Sequence, residues 1–267
     1  MSVQTLYTAA TGMEALQTKL DTVANNLANV STTAFKRDRT NFEDLMYRNE
    51  ILPGALDSAG NPTPTGIHTG LGTRVQSTQI DFKQGAAQQT GKELDLAIEG
   101  NGFFAVTDPS GEVVYTRSGN FSINANHQLV MGSAETGRLV DPAISFPADT
   151  TGVVISPEGI VSVKQASTTG LNNIGTLTLS QFANPQGLLK RGENLYSETP
   201  ASGNAVTGNP GISGAGVIRQ GSLEASNVEP VQELIDLITT QRAFELNSQA
   251  VQAGDQMLTS IVNLRRP

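Results

Sequence analysis

Apolar and small side chains recur every three or four residues along the first thirty positions of the chain. This spacing places them on one face of a helix that packs against other helices. The series consists of Leu6, Ala9, Met13, Leu16, Leu20, Val23, Leu27 and Val30. The other positions are mostly Thr, Gln, Asn and Ser, which suits contacts with neighbours on several sides. The pattern predicts a helix from about residue 2 to residue 28, and an ordinary amphipathic helix on the core of its own domain is the alternative.

A second helical pattern ends the chain, from Pro230 to about Leu264. Proline is well placed in the first turn of a helix, where its missing N–H costs nothing. The apolar positions are Val231, Leu234, Ile235, Ile238, Ala243, Leu246, Ala250, Ala253, Met257, Ile261 and Leu264. No helical pattern lies between the two terminal helices. We therefore expect them to pack against each other or against copies in other subunits.

Short alternating segments separated by turn signals occupy residues 74–195. The predicted strands are Val75–Phe82, Leu94–Ile98, Phe103–Thr107, Val113–Arg117, Phe121–Ile123, Val153–Ile155, Val161–Val163 and Ile174–Leu179. Turns are indicated at residues 108–111, 124–126 and 157–159. Strands at this spacing predict a small antiparallel β domain. Residues 52–72 instead hold three prolines and five glycines, so we expect an extended arm there.

Composition changes this picture mainly by exclusion. The 267 residues carry a net charge of −8, contain no cysteine and no tryptophan, and are 37% hydrophobic. Disulfides and thiolate metal sites are therefore impossible, and the charge argues against nucleic acid or an anionic lipid membrane as the main partner; we expect no direct lipid binding. His68 and His127 are the only histidines, and two distant histidines make no zinc site. We expect no enzyme activity, no catalytic residue, no metal and no cofactor.

One dense basic cluster follows the first helix. It consists of Lys36, Arg37 and Arg39. A solvated helix end that complements the helix dipole and an inter-subunit ion pair are equally acceptable interpretations. No basic segment ahead of an apolar core begins the chain, so we expect no cleavable secretory signal.

Four separated blocks resemble the bacterial flagellar axial proteins, the family of rod, hook and hook-associated subunits. The first block is Ala24–Thr32 followed by Phe35-Lys36-Arg37, and the last runs from Ser226-Asn227-Val228 through Gln241–Glu245 to Asp255–Leu258. Asp95–Phe104 and Tyr115–Phe121 are similar to the central motifs of the family. The resemblance covers nearly the whole chain, in the right order. Residues 42–47 and the stretch up to Gly72 resemble most closely the distal-rod subunits of this family.

The resemblance implies a fold and a division into domains. We expect an α+β protein with long N- and C-terminal helices forming a coiled-coil-like axial domain, extended arms and a central antiparallel β domain. The domain boundaries are 1–33 with 228–267 for the axial domain, 34–72 with 217–227 for the arms and 73–216 for the β domain. The implied function is a self-assembling structural subunit of the distal rod that transmits motor torque to the hook. A proximal rod or hook subunit, or a secreted β-rich adhesin or enzyme, is the alternative.

The resemblance also implies partners and contact residues. The partners are further copies in a helical tube, proximal rod proteins, the hook protein, peptidoglycan and outer-membrane ring proteins, the rod cap and the flagellar type III export apparatus, with the rod spanning the periplasm. The expected self-assembly interface is Leu6, Met13, Leu16, Leu20, Val23, Leu27, Val30, Ile238, Leu246, Met257, Leu258, Ile261 and Leu264. The arm is expected to brace adjacent subunits through Leu52, Pro53, Leu56, Pro62, Pro64, Ile67 and Leu71, with a disordered surface loop as the alternative.

Overall fold

The computed structural model of the chain describes residues 3–56, 60–133, 136–166 and 170–264. Within these residues there are two α-helices, α1 (Val3–Ala28) and α2 (Pro230–Leu264). Their bounds agree with the two helical patterns in the sequence to within one residue. Helix α2 begins at Pro230, where the proline needs no hydrogen-bond acceptor for its nitrogen.

Strands account for most of the remaining regular structure of the described residues. The first ten are β1 (Asp38–Asp44), β2 (Tyr47–Ile51), β3 (Ile67–Gly70), β4 (Thr73–Ile80), β5 (Ala87–Gln89), β6 (Leu96–Glu99), β7 (Phe104–Thr107), β8 (Val113–Thr116), β9 (Phe121–Ile123) and β10 (Leu129–Met131). They are followed by β11 (Leu139–Asp141), β12 (Thr150–Ile155), β13 (Ile160–Gln165), β14 (Leu171–Thr176), β15 (Leu179–Gln181), β16 (Leu189–Gly192), β17 (Leu195–Ser197), β18 (Val206–Gly208), β19 (Val217–Gln220) and β20 (Ser222–Glu224). A short 3-10 helix spans Pro185–Gly187.

The chain forms two compact units. The helical unit consists of α1, residues 38–80 and α2. Its strands form two antiparallel pairs, β1 with β4 and β2 with β3. The β-rich unit consists of residues 29–37 and 81–228. The predicted domain boundaries stay a prediction.

The β-rich unit is built around one seven-stranded antiparallel sheet. Its strand order is β16-β17-β8-β7-β11-β10-β9, and a three-stranded sheet, β12-β13-β14, accompanies it. Three further pairs, β15 with β18, β19 with β6 and β20 with β5, complete the unit. The core lies among these sheets, and its fully buried members include Leu96, Ile98, Phe104, Val106, Val161, Val163, Leu177 and Leu179.

Strand β13 illustrates how buried and exposed side chains alternate along a strand that the sequence pattern predicts. In β13, Val161 and Val163 are fully buried while Lys164, the next residue of the strand, is exposed, as expected when successive side chains point to opposite faces. The three predicted turns are confirmed. Gly111 N donates to Asp108 O, His127 N donates to Asn124 O, and Gly159 N donates to Ser156 O.

The predicted fold class was wrong. The described chain is β-rich with two helices, rather than an α+β protein whose helices form a coiled coil joined by extended arms. The expected arm is partly a hairpin, because Tyr47 in β2 pairs with Gly70 in β3. Every residue of β2 is exposed, so no side chain of this strand is selected for burial and no alternation marks it.

The helices pair without the predicted coiled-coil seam. Among the predicted apolar positions of α2, Ile238, Leu246 and Met257 are exposed. Glu233 and Thr240 are buried on the same helix. The apolar spacing therefore marked a face of α2 that does not pack on α1. In the part of the chain that the structure describes, no helix combines the length and the hydropathy required to cross a bilayer.

We predict that Leu177→Ala destabilises the protein by about 2–5 kcal/mol, because it removes a fully buried side chain and leaves a cavity. Leu171→Ala is the matched control, since Leu171 is 61% exposed and should change stability by less than about 0.5 kcal/mol. Urea unfolding followed by circular dichroism measures both. Equal effects of the two substitutions would contradict the described core.

Candidate assembly surfaces

Helices α1 and α2 run antiparallel along each other. Asn26 Nδ2 donates to Glu233 Oε2 over 3.2 Å. Toward the other end of the pair, a Cβ atom on Gly12 would lie 3.3 Å from Asn247 Nδ2, and one on Gly254 would lie 2.7 Å from Leu6 Cδ2. The contact positions therefore descend along α1 as they rise along α2. Gly254 has no side chain at the point where Leu6 approaches most closely, so a larger residue there would force Leu6 to move.

Polar groups, rather than a continuous apolar seam, anchor this pair. Asn26, Glu233 and Thr240 are each nearly fully buried. The Asn26 amide also donates to Asp38 O and accepts from Asp38 N, each over 2.9 Å. Buried amides and carboxylates are tolerated only when hydrogen-bonded. This bonding ties the start of β1 to the end of α1.

The apolar series of α2 lies on the side of the helix away from this contact. At about 100° per residue, Ile238 points roughly opposite Thr240 and Glu233. The exposed members are Val231, Leu234, Ile235, Ile238, Leu246 and Met257; we call them the outer face of α2. Ile238 is 53% and Leu246 66% exposed. Exposed apolar side chains grouped on one face mark an interaction surface more often than a scatter of single residues does.

The other predicted interface residues have different surroundings. In α1, Val23 is buried, and five are half-buried: Leu6, Met13, Leu16, Leu20 and Leu27. Val30 follows the end of α1 and belongs to the β-rich unit. Leu258 is half-buried on α2, whereas the side chains of Ile261 and Leu264 lie outside what the structure describes. The role of all these residues in self-assembly stays a prediction.

The predicted brace residues form a second exposed group, on and around the β2–β3 hairpin. All seven are exposed: Leu52, Pro53, Leu56, Pro62, Pro64, Ile67 and Leu71. Leu56 is 71% exposed although it forms an isolated bridge with Pro62. Gly54 N donates to Thr63 O and Thr63 N donates to Ala55 O. These hydrogen bonds give the described part of the hairpin a defined backbone, while its apolar side chains are exposed.

A buried ion cluster in the β-rich unit was missed by sequence reasoning. Lys36 Nζ donates to Glu224 Oε1 over 2.6 Å and to Lys83 O over 2.8 Å. Arg117 Nε donates to Glu224 Oε2 over 3.1 Å. The side chains of Lys36, Arg117 and Glu224 are 0%, 5% and 1% exposed. The cluster therefore joins the segment after α1, the segment after β8 and the end of β20.

Both sequence interpretations of the basic cluster fail for Lys36, which is neither solvated nor at an inter-subunit surface. Burial lowers the pKa of the Lys36 ammonium group, and the nearby Glu224 carboxylate opposes this shift. The sequence signal that could have indicated the burial of Lys36 is its position directly after two apolar residues, Ala34 and Phe35, which are both buried in the structure. An isolated charge in that context needs an opposite charge, but its partner is far away in sequence.

The described residues offer no grouping suited to a metal ion. His68 Nδ1 lies 2.6 Å from Asn49 Oδ1 on the exposed β2–β3 hairpin. His127 is exposed at the turn between β9 and β10. The features that stand out among the described residues are exposed apolar surfaces.

Three family models match the chain in order. A model described as flagella basal body rod protein matches residues 6–36, one described as flagellar hook protein FlgE/F/G D1 domain matches residues 97–163, and one described as flagellar basal body rod FlgEFG protein C-terminal matches residues 219–264. The matched ranges include residues 6–28 of α1, Lys36, Arg117, Glu224 and the whole of α2. The predicted resemblance to the flagellar axial family is confirmed.

Relatives match over their whole length. The chain is 43% identical to the flagellar basal-body rod protein FlgG of Borreliella burgdorferi, covering 99% of each chain. It is 42% identical to the protein of the same name in Caulobacter vibrioides, over 98% of this chain and 100% of the relative. It is 31% identical to the flagellar hook-basal body complex protein FlhP of Bacillus subtilis, with the same coverage.

We predict that Glu224→Gln lowers the free energy of unfolding by about 3–5 kcal/mol, because it leaves Lys36 and Arg117 buried without a counter-charge. Glu158→Gln, at an exposed turn, is the matched control and should be near neutral. Urea unfolding at pH 7 measures both variants.

The loss in Glu224→Gln should shrink as pH rises. Without the carboxylate the folded-state pKa of Lys36 falls further below its ordinary value of 10.5. Between these two pKa values the unfolded chain binds more protons than the folded one, so stability rises with pH through that interval. A loss that stays constant up to pH 10 would contradict this account.

Proposed function

This chain belongs to the flagellar basal-body rod protein family, and we propose that it assembles with further copies into the distal rod, the drive shaft that carries motor torque to the hook. The observation that carries the proposal is the sequence similarity, over nearly the full length of both chains, to relatives named flagellar basal-body rod protein FlgG. It is a structural subunit of the flagellar basal body. We further propose that it performs no catalysis.

The outer face of α2 supports assembly. A monomer gains nothing from holding Leu234, Ile235 and Ile238 half in water, whereas burying each side chain against another subunit contributes about 1.5–3 kcal/mol. Repeating one contact by a rotation that does not close produces a helical polymer. We propose that the outer face of α2, together with the predicted positions on α1, forms this repeated contact.

Torque transmission by such a polymer is passive. Each subunit must resist shear through many contacts, and no bond needs to form or break. The net charge of −8 adds repulsion between copies, which apolar contacts must outweigh. Assembly should therefore improve as salt screens this repulsion.

The partners follow from the place of the rod. We propose that the chain contacts proximal rod proteins at one end of the polymer and the hook protein at the other. Peptidoglycan and outer-membrane ring proteins would surround it in the periplasm. The rod cap and the flagellar type III export apparatus would act during its assembly.

The β2–β3 hairpin is proposed as a brace between adjacent subunits. Its backbone is ordered by pairing of Tyr47 with Gly70, and Pro53, Pro62 and Pro64 restrict the connecting residues. Its exposed leucine and isoleucine side chains are available for a neighbour. A brace of this kind would keep the polymer straight.

We predict that Ile238→Asp abolishes polymerisation and leaves the thermal unfolding of the monomer unchanged. Ile238 is exposed in the chain, so the substitution costs little there, but an unpaired carboxylate in a packed contact costs several kcal/mol in every copy. Ile238→Val is the matched control and should still polymerise. Electron microscopy and sedimentation measure assembly. Normal tubes from Ile238→Asp would exclude the outer face of α2 from the contact.

The brace predicts that the double substitution Leu52→Ser and Leu56→Ser gives a curved or flexible polymer. Both side chains are exposed in the chain, so its folding should be unaffected. Thr65→Ser, an exposed change in the same segment, serves as the control. The persistence length measured on electron micrographs separates the outcomes. A polymer as straight as that of the unaltered protein would rule out the brace.

A further inference from the structure

A cavity of about 270 Å³ opens in the β-rich unit beside the buried ion cluster. The residues that line it include Phe82, Phe103, Phe182, Arg117 and Asn101. An apolar cavity of about 150 Å³ already accepts benzene. The space is therefore sufficient for one aromatic or aliphatic side chain or for a small molecule of that size.

Arg117 has donors to spare at this cavity. Its Nη1 donates to Gly100 O over 2.9 Å and to Gly102 O over 2.6 Å, and its Nε donates to Glu224. Among the described residues no acceptor lies within hydrogen-bond distance of Nη2, although the side chain is only 5% exposed. A guanidinium has five N–H donors, so two of them remain for a group that enters the cavity.

The charges around the cavity do not balance. Lys36 and Arg117 are both buried against the single carboxylate of Glu224. A further carboxylate, on Asp81, is 45% exposed and lies 4.0 Å from Arg37 Nε. A buried excess of positive charge favours an anion at the one side of the cluster that is open to a ligand.

The aromatic walls suit an anion that carries an apolar group. Phe103 meets Phe82 edge-on with ring centroids 5.4 Å apart, and meets Phe182 in the same way at 5.7 Å. The Arg117 guanidinium carbon lies 5.8 Å from the centroid of Phe103, so the charged group and this ring lie side by side at the cavity.

We propose that this cavity is a binding site for a carboxylate carried on a small apolar group, with Arg117 Nη2 as the donor to the carboxylate. The carboxylate would come from a free small organic acid or from an Asp or Glu side chain of a neighbouring copy. In either case it would complete the counter-charge of the cluster, and the aromatic rings would contact its apolar part. The site lies in the β-rich unit and does not depend on the proposed outer face of α2.

Titration of the full-length protein with sodium benzoate at constant ionic strength tests the site. Two-dimensional NMR detects binding, and the thermal unfolding temperature is measured with and without benzoate. Saturable shifts that include the Arg117 Nε–H signal, with a rise in unfolding temperature, are expected. Benzyl alcohol, which has the ring without the charge, should bind at least about tenfold more weakly, since it loses the charge-assisted bond.

Asn101→Asp supplies a variant that keeps the fold, since Asn101 is exposed and its side chain makes no described hydrogen bond. The new carboxylate at the cavity should weaken benzoate binding at least about threefold by repulsion. Asn172→Asp makes the same charge change at an exposed position that does not line the cavity, and should leave binding unchanged. Equal weakening by both variants, or no saturable binding to the unaltered protein, would overturn the proposal.

Polymerisation separates the two sources. If a side chain of a neighbouring copy supplies the carboxylate, benzoate and Asn101→Asp should each raise the protein concentration needed for assembly at least about threefold. If a free acid supplies it, that concentration should stay the same while benzoate still binds. Either assembly result is consistent with a carboxylate site. If benzoate does not bind to the unaltered protein, the proposed site is excluded whatever the assembly result.

Discussion

The buried carboxylate of Glu224 is the group on which the β-rich unit depends. It accepts hydrogen bonds from Lys36 Nζ, Arg117 Nε and Gly85 N, which come from segments far apart in sequence. A charge in an apolar interior is stable only when such partners are all present. The cluster therefore requires residues before and after the β strands to be in place together, and it couples the folding of the segment after α1 to that of β20.

In the helical unit, polar side chains are buried between the helices and apolar side chains are exposed, the reverse of the usual arrangement in an isolated globular domain. Its internal contacts rely on Asn26, Glu233 and a close approach at Gly254, while Ile238 and Leu246 face outward. Small and polar groups give the helix pair a defined register at modest stability. The apolar side chains of α2 are left exposed, and Leu56 on the hairpin is exposed in the same way; such surfaces are what the proposed assembly would bury.

Several features followed from the sequence by itself. The bounds of α1 and α2, the strands with clear alternation such as β13, and the three turns after β7, β9 and β12 were determined locally, because helical periodicity, side-chain alternation and turn residues act over a few positions. The four blocks around Lys36, Arg117 and the terminal helices were also sufficient to identify the family, since their order and spacing are properties of the chain alone.

Tertiary structure alone decided the rest. The apolar spacing of α2 indicated a helix but not which face would pack, because the same period fits an internal contact and one with another copy; the structure turns Glu233 and Thr240 inward and Ile238 outward. Strand β2 had no alternation to detect because neither of its faces is buried. The pairing of Lys36 with Glu224 spans most of the chain, and no local pattern carries the identity of a partner so distant, since only folding brings the two charges together.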